Sequence, residues 1–321
     1  MPTRRAALAL PMLWPGLARA QGAWPNRPVQ LIVPWAAGGG TDTVARIFAQ
    51  GLQTEIGQPV NVVNRTGGAG ITGHAAIAAA TPDGYMLGIG TSEFATFRIM
   101  GQSELGPQDF DLLSRLALLP AGVTVAGNAP WRDVQAFAAA LKEGRKGQFT
   151  GSGVGPGGSW HLACAGMCRA LGLPADQVRW IPSTGGAPAL QDLVAGGLSL
   201  FTGSPVEAQS LASAGRVRVL AVMADARMAT FPEVPTLRQA GLDWVYQNWF
   251  ALIAPKGLPA EVRTALLAAA ARAHARADVR EQMTGRGIVP VWEDPAQFAA
   301  FVGQFSETTG TLLRELGLAK S

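Results

Sequence analysis

Between Val29 and Ile89 the chain alternates short apolar runs with amphipathic helical ones and sets glycine at the joints, a rhythm few folds accommodate. Residues 29–33 (VQLIV) read as a strand. Residues 42–56 place Val44, Ile47, Phe48, Leu52 and Ile56 on one helical face, and Gly57 with Pro59 ends that helix. A strand over 60–63, a helix over 71–80, the turn Thr81-Pro82-Asp83-Gly84 and a strand over 85–89 follow. Strands separated by helices pair in parallel, with the helices covering the faces of the sheet. The central region repeats the scheme: a strand near Phe149, a glycine loop over 151–159, a helix over 160–171, a strand over 178–181, the loop PSTGG and a helix over 187–194. The C-terminal part is helical, with Pro259 opening one helix and Asp294-Pro295 another that runs to about Leu316. Two extended apolar runs, 116–127 and 248–255, lie between these regions and read as crossings between two lobes. The expectation is an α/β protein with two lobes.

The joints share a chemistry. AAGGGTD, NRTGGAGITG, GIGTSE, GSGVGPGGS, PSTGG and FTGSP each follow a strand, and most lead into a helix. Glycine, serine and threonine there offer neutral donors at the carboxyl ends of strands, where open α/β sheets bind ligands. Gly38-Gly39-Gly40 puts bare backbone N–H groups at a helix start, beside the positive end of the helix dipole, and an anion is the natural guest.

Other classes find little support. Residues 1–20 carry Arg4 and Arg5, an apolar run from Ala6 to Leu17 and the cleavage pattern Ala18-Arg19-Ala20, an export leader directing the chain to the periplasm. Thr3-Arg4-Arg5 leaves the twin-arginine route open, although Ala7 stands where a bulky apolar residue is expected. The pI near 9.5 suggests nucleic acid, but loss of Arg4, Arg5 and Arg19 with the leader leaves 23 basic against 22 acidic residues, and no basic cluster interleaved with aromatics remains. Cys164 and Cys168 sit four apart in a helical run, which suits two buried thiols better than a disulfide. The three histidines are scattered, so no metal is expected, and no cofactor. Two G-x-G-x-x-G matches occur, at Gly68, Gly70 and Gly73 and at Gly153, Gly155 and Gly158; Glu93, twenty residues past Gly73, stands where a ribose-binding acid would sit. A secreted dinucleotide-dependent oxidoreductase is therefore the alternative reading. It lacks an evident catalytic acid and base.

The ordered segments RPVQLIVPWAAGGGTDTVAR, VNVVNRTGGAGITGHAAIAAATPDGYMLGIGTS, GSGVGPGGSWHLA, STGGAPALQDLVAG, RVRVLAVMADAR, FPEVPTLRQAG and WFALIAPKGLP together resemble the extracytoplasmic solute-binding receptors of tripartite tricarboxylate transporters, the Bug family. The resemblance implies a type II periplasmic-binding-protein-like fold: two α/β lobes, each a mainly parallel sheet with helices on both faces, joined by two crossing strands. The lobes would comprise residues 21–124 with 250–321, and residues 125–249. It implies no enzymatic activity. The implied role is capture of a small organic carboxylate by a monomer that passes it to membrane permease subunits or to a sensor kinase. The family's ligand loops fall on Trp35, Ala37, Gly38, Gly39, Thr41 and Asp42, on Thr91 and Ser92, on Ser152, Gly153, Ser159 and His161, on Thr184, Gly185 and Gly186, and on Thr202 and Ser204. For Asp42 the residues alone equally suit a helix cap, and for His161 a hydrogen bond at a helix start. Two departures stand out. Ser183-Thr184 replace an aromatic and a basic residue common in relatives, which weakens ionic recognition of a second carboxylate. Thr202 replaces a common acid, which disfavours a ligand ammonium group. If the leader is cleaved as read, N-terminal sequencing of the periplasmic form will give Gln21 first; full-length chain accumulating in the cytoplasm of the native host would contradict it.

Overall fold

The computed structural model describes residues 24–183 and 185–320, so the leader and its cleavage site lie outside the described residues. The strands form two sheets. In the first, β1 (Val29–Val33), β2 (Val60–Asn64), β3 (Met86–Thr91), β4 (Phe110–Pro120), β10 (Gln247–Pro255) and β11 (Val289–Glu293) take the order β11-β4-β10-β3-β1-β2. In the second, β5 (Gly122–Ala126), β6 (Thr150–Ser152), β7 (Arg179–Trp180), β8 (Leu200–Phe201) and β9 (Val217–Val222) take the order β7-β6-β8-β5-β9.

Both sheets are mixed, where mainly parallel ones were expected. β1 pairs in parallel with β2 and β3, and β6 with β7 and β8. The pairings of β10 with β3 and β4, of β11 with β4, and of β5 with β8 and β9 are antiparallel. The physical reason is the crossing. Strand–helix–strand units must be parallel, but strands that carry the chain out of a sheet and back into it run in opposite senses. The expected apolar runs supply these strands. Only Ala121 separates β4 from β5, and Tyr246 leads back into β10. Ala121 N–H donates to Tyr246 C=O (3.0 Å), and Met223 N–H to Ala121 C=O (2.8 Å), so the two passages lie side by side.

The first-lobe helices follow the periodicity. Helix α1 (Gly40–Ile56) buries Val44, Ile47, Phe48 and Leu52, and Gly57 in the left-handed region (φ 67°) closes it by donating to Gln53 C=O. Helix α2 (Ile71–Ala78) stops two residues short of its expected end. Helices α3 (Val134–Glu143), α4 (Ser159–Ala170), α5 (Gly186–Val194) and α6 (Gln209–Ser213) belong to the second lobe, and α7 (Ala260–Ala275), α8 (Ala277–Thr284) and α9 (Pro295–Glu315) return to the first. Asp294 caps α9 by accepting from Ala296 and Gln297 N–H, and the Gln297 side chain accepts from Asp294 N–H in return. Trp249 of β10 pins α9 to the sheet, with the rings of Phe298, Phe301 and Phe305 at 5.5–5.7 Å. Cys164 and Cys168 on α4 are free and buried, as their spacing suggested; a hydrogen bond between them and burial push the Cys164 thiol up.

His74 on α2 is fully buried. Phe94, Phe97 and Phe110 ring it at 5.6–6.2 Å, and its Nδ1 pairs with Gly70 C=O at 2.8 Å. Burial pushes it down to about 4 against the opposing pull of that carbonyl. Burial likewise lowers His274, whose Nε2 pairs with Leu116 C=O. Between pH 6.5 and about 4 the unfolded chain therefore binds protons that the folded chain refuses. Stability falls as pH falls through that window, by up to about 3 kcal/mol from His74 alone. Urea midpoints at pH 7.5, 5.5 and 4.5 will show this loss, and His74→Gln will flatten the slope.

Candidate functional site

A cavity of about 630 Å³ opens where the loops at the carboxyl ends of the parallel strands face one another, a volume suited to a small molecule. On the side of the first sheet it is lined by the β1–α1 loop from Trp35 to Thr41, by Glu93 after β3, by Leu119 of β4, and by Asn248 and Phe250 of β10. The second lobe contributes Val154, Ser159 and Trp160 from the β6–α4 region, the start of α5 from Gly185 to Pro188, and Val206 with Glu207 after β8. Arg286 and Ile288, in the turn between α8 and β11, complete it.

The three consecutive glycines do different jobs. Gly38 has φ 85°, a left-handed turn that glycine adopts without strain. Gly39 is extended (φ −78°, ψ 175°) and serves as the N-cap of α1, with no side chain satisfying the helix start. At Gly40 an added methyl group would stand 3.0 Å from Leu119 Cδ2. The first turn of α1 thus reaches the cavity with bare N–H groups at its positive end. Asp42 shapes that loop from behind. Its carboxylate accepts from Gly38 N–H, Arg46 Nε and Asn64 Nδ2, all at 2.9 Å, and Asn64 also donates to Trp35 C=O. Burial alone would raise the Asp42 carboxyl, but the bonds from Arg46, Gly38 and Asn64 together with the Arg46 charge hold it below the usual carboxylate range. The N–H of Gly38 is therefore committed within the loop.

Of the residues expected to meet a ligand, Trp35, Ala37, Gly38, Gly39, Thr41, Ser159, Gly185 and Gly186 line the cavity. Thr184 lies outside the described residues. The others stand behind the wall and organise it. Thr91 accepts from Trp35 Nε1 at 3.2 Å. Ser152 donates to Ile181 C=O at 2.7 Å, and Thr202 to Trp160 C=O at 2.7 Å. Gly153 makes room for Trp160, whose Cβ would lie 2.8 Å from a methyl group there, and Ser204 accepts from Val206 N–H. His161 stacks on Trp180 with ring centres 4.7 Å apart; its Nδ1 accepts from Gly157 N–H at 2.9 Å, and burial pushes it down to about 4, so it stays neutral. Ser92 reaches across the cleft, its Oγ 2.6 Å from Ser159 Oγ, and both hydroxyls lie within 3.2 Å of Asn248 Oδ1.

Four charged or amide groups enter the cavity from outside the positions that the family resemblance implied, Glu93 having been noted only for the dinucleotide reading. Glu93 accepts from Ser159 Oγ through Oε1 (3.2 Å), and its Oε2 is buried with no partner among the described residues. Asn248 belongs to a strand whose sequence signalled only a crossing. Glu207 is exposed to the cleft and accepts a hydrogen bond from Ser204 N–H at 3.2 Å. Arg286 is exposed at the rim and donates to Gln282 C=O. A second cavity of about 480 Å³, on the side of Gly67 and Gly157, shares Trp35, Ala36, Glu93 and Val154 with the first.

Comparison with known proteins agrees with this geometry. The model of the family described as "Tripartite tricarboxylate transporter family receptor" matches residues 44–318. The chain belongs to that family. Its members are periplasmic solute-binding receptors and not enzymes, which removes the dinucleotide reading; Gly68–Gly70 form a short 3-10 turn, and Glu93 faces the cleft. A UPF0065 protein from the ttuE-ttuC' intergenic region of Agrobacterium vitis is 32% identical over 98% of this chain and 90% of its own. The solved periplasmic binding protein BugD superposes with a TM-score of 0.80 at 27% identity, covering 93% of this chain and all of its own. MatC from Rhodopseudomonas palustris, solved with bound malate, gives 0.77 at 28% identity, covering 90% of this chain and 100% of its own. An R. palustris protein solved with adipate gives 0.82 at 26% identity, covering 92% and 99%. Among the described residues no helix of this receptor is long and apolar enough to cross a membrane, and no cluster of metal-binding side chains occurs.

The loop geometry separates two neighbouring substitutions. Gly38→Ala forces a side chain into the left-handed region and will lower stability by about 1 kcal/mol. Gly39→Ala suits the extended backbone and has ordinary space, 3.6 Å from Ala36 C=O, so it will change stability by less than about 0.5 kcal/mol. Thermal denaturation of the two variants checks the contrast.

Proposed function

We propose that this receptor captures a small organic carboxylate in the cleft and delivers it to the membrane permease subunits of a tripartite tricarboxylate-type transporter. In this reading the chain acts as a monomer, exported by its leader. Residues 21–124 with 250–321 form one lobe and residues 125–249 the other. The observation that carries the proposal is the start of α1: an uncapped helix N-terminus, with Gly39, Gly40 and Thr41 on the wall of a cavity of about 630 Å³. Backbone N–H groups at that place favour negative charge through both hydrogen bonding and the helix dipole. The malate and adipate in the two R. palustris structures support a carboxylate as the guest.

Arg286 at the rim contributes attraction at longer range, which salt screens. The proposal is tested by removing the charge while keeping the skeleton. A hydrogen bond to a charged group is worth ~1.5–3 kcal/mol. Losing about 3 kcal/mol weakens binding about 150-fold. Calorimetric titration with malate and adipate and with their dimethyl esters will show the acids binding and the esters failing to match them. Esters that bind as well as the acids would mean the glycines at the start of α1 form only a turn.

A further inference from the structure

The loop between β6 and α4 is held at both ends by one pair of rings. Trp180, on the neighbouring strand β7, donates from Nε1 to Val154 C=O at 2.9 Å. His161, the third residue of α4, accepts from Gly157 N–H on Nδ1 at 2.9 Å. The two rings stack with their planes 20° from parallel, so a shift of one anchor disturbs the other. Between the anchors the chain turns tightly, Gly158 N–H donating to Gly155 C=O at 3.1 Å and Gly157 taking a left-handed φ of 74°. Val154 lines both cavities, and Gly155 to Gly158 line the smaller one. The tip at Gly157 also seats against Met100, after β3, and Leu313 of α9: a methyl group there would collide with Met100 Cε and stand 3.2 Å from Leu313 Cδ2. One short loop thus carries part of the cleft wall and a contact with the elements of the first sheet.

We propose that His161 is a positioning residue for ligand capture, acting through Gly157 on the shape of this loop and not by touching the solute. This rests on the reading of the cleft as the ligand site and names the group that holds one of its walls. The family resemblance implies direct contact, but His161 lines neither cavity, and its accepting nitrogen is spent on the loop. The donor identities also fix the ring. A backbone N–H only donates, so Nδ1 of His161 carries no proton and the neutral imidazole holds its proton on Nε2. His74 is the opposite case: its Nδ1 faces Gly70 C=O, which only accepts, so its proton sits on Nδ1.

Isosteres separate the two roles, because the side-chain amide of Asn stands where Nδ1 does and that of Gln where Nε2 does. At pH 7.5, hydrogen exchange followed by NMR will show the Gly157 amide protected in the unaltered receptor and in His161→Asn, and exchanging at least tenfold faster in His161→Gln and His161→Phe. Calorimetry with malate and adipate will follow the same order: His161→Asn will stay within threefold of the unaltered receptor, while the Gln and Phe variants will bind at least tenfold more weakly. Nitrogen-15 spectra will place the imidazole proton of His161 on Nε2 and that of His74 on Nδ1, with and without added acid. Trp180→Phe, which keeps a ring for stacking and removes the donor to Val154, will weaken binding at least threefold and serves if the histidine variants fail to fold by circular dichroism. Affinity restored by Gln and not by Asn would assign direct contact through Nε2 and overturn the positioning role, as would full affinity in a folded Phe variant at either position. If neither acid binds the unaltered receptor, the carboxylate reading falls, while the hold of His161 on the loop stands or falls on the exchange rates: equal protection of Gly157 in the Asn and Phe variants overturns it.

Discussion

The cleft depends on how the chain leaves one sheet and re-enters it. With Ala121 alone between β4 and β5, and with Tyr246 beside it on the return, the two sheets are held by a pair of hydrogen-bonded extended passages. That constraint turns both sheets so that the loops after β1, β3, β6 and β8 meet across one gap. It also forces the antiparallel pairings, because the passages must enter and leave in opposite directions. A ligand site between the carboxyl ends of strands in two sheets follows from this topology before any particular side chain is considered.

Within the gap, the residues divide into those that line the cavity and those that hold its wall. Asp42 shows the second role. Its carboxylate takes hydrogen bonds from Gly38 in the loop, Arg46 on α1 and Asn64 at the end of β2, and so fixes where Gly38 turns and where Gly39 and Thr41 are presented. Ser152, Thr202 and His161 do the same work in the other lobe through backbone partners. Hydroxyl-rich loops are suited to this because each side chain can satisfy a carbonyl or N–H that an irregular backbone would otherwise leave unpaired.

This division explains what was legible in the sequence. The strand–helix alternation and the glycine joints gave both α/β units, since periodicity and backbone freedom are local properties. The carboxyl-end loops were likewise readable as the place where the cavity opens. Which residue in a loop points outward was not, because that depends on partners such as Ile181 and Trp160 that come from other elements. Glu93 drew attention through its spacing from Gly73, but spacing could not reveal that Ser159, sixty-six residues away, would share its carboxylate. Glu207 and Arg286 stood in no motif at all; each reaches the cavity only because a sheet or a helix pair carries it there. The strand expected near Phe149 forms at Thr150–Ser152, and the Phe149 ring packs against Trp131 and Phe137.

The buried pair Cys164 and Cys168 has a consequence for the life of the protein outside the cytoplasm. Both thiols lie on one helix of the second lobe, with 2% and 0% of their surface accessible. An oxidising compartment attacks thiolates; here the hydrogen bond with Cys168 and burial disfavour the Cys164 thiolate, and the burial of both side chains denies oxidants a path. The fold needs no oxidant for its assembly. Any thiol reagent must wait for the helix to come away from its neighbours, so the rate at which these cysteines react is a built-in clock for opening of the second lobe, readable in the unmodified chain without a probe attached.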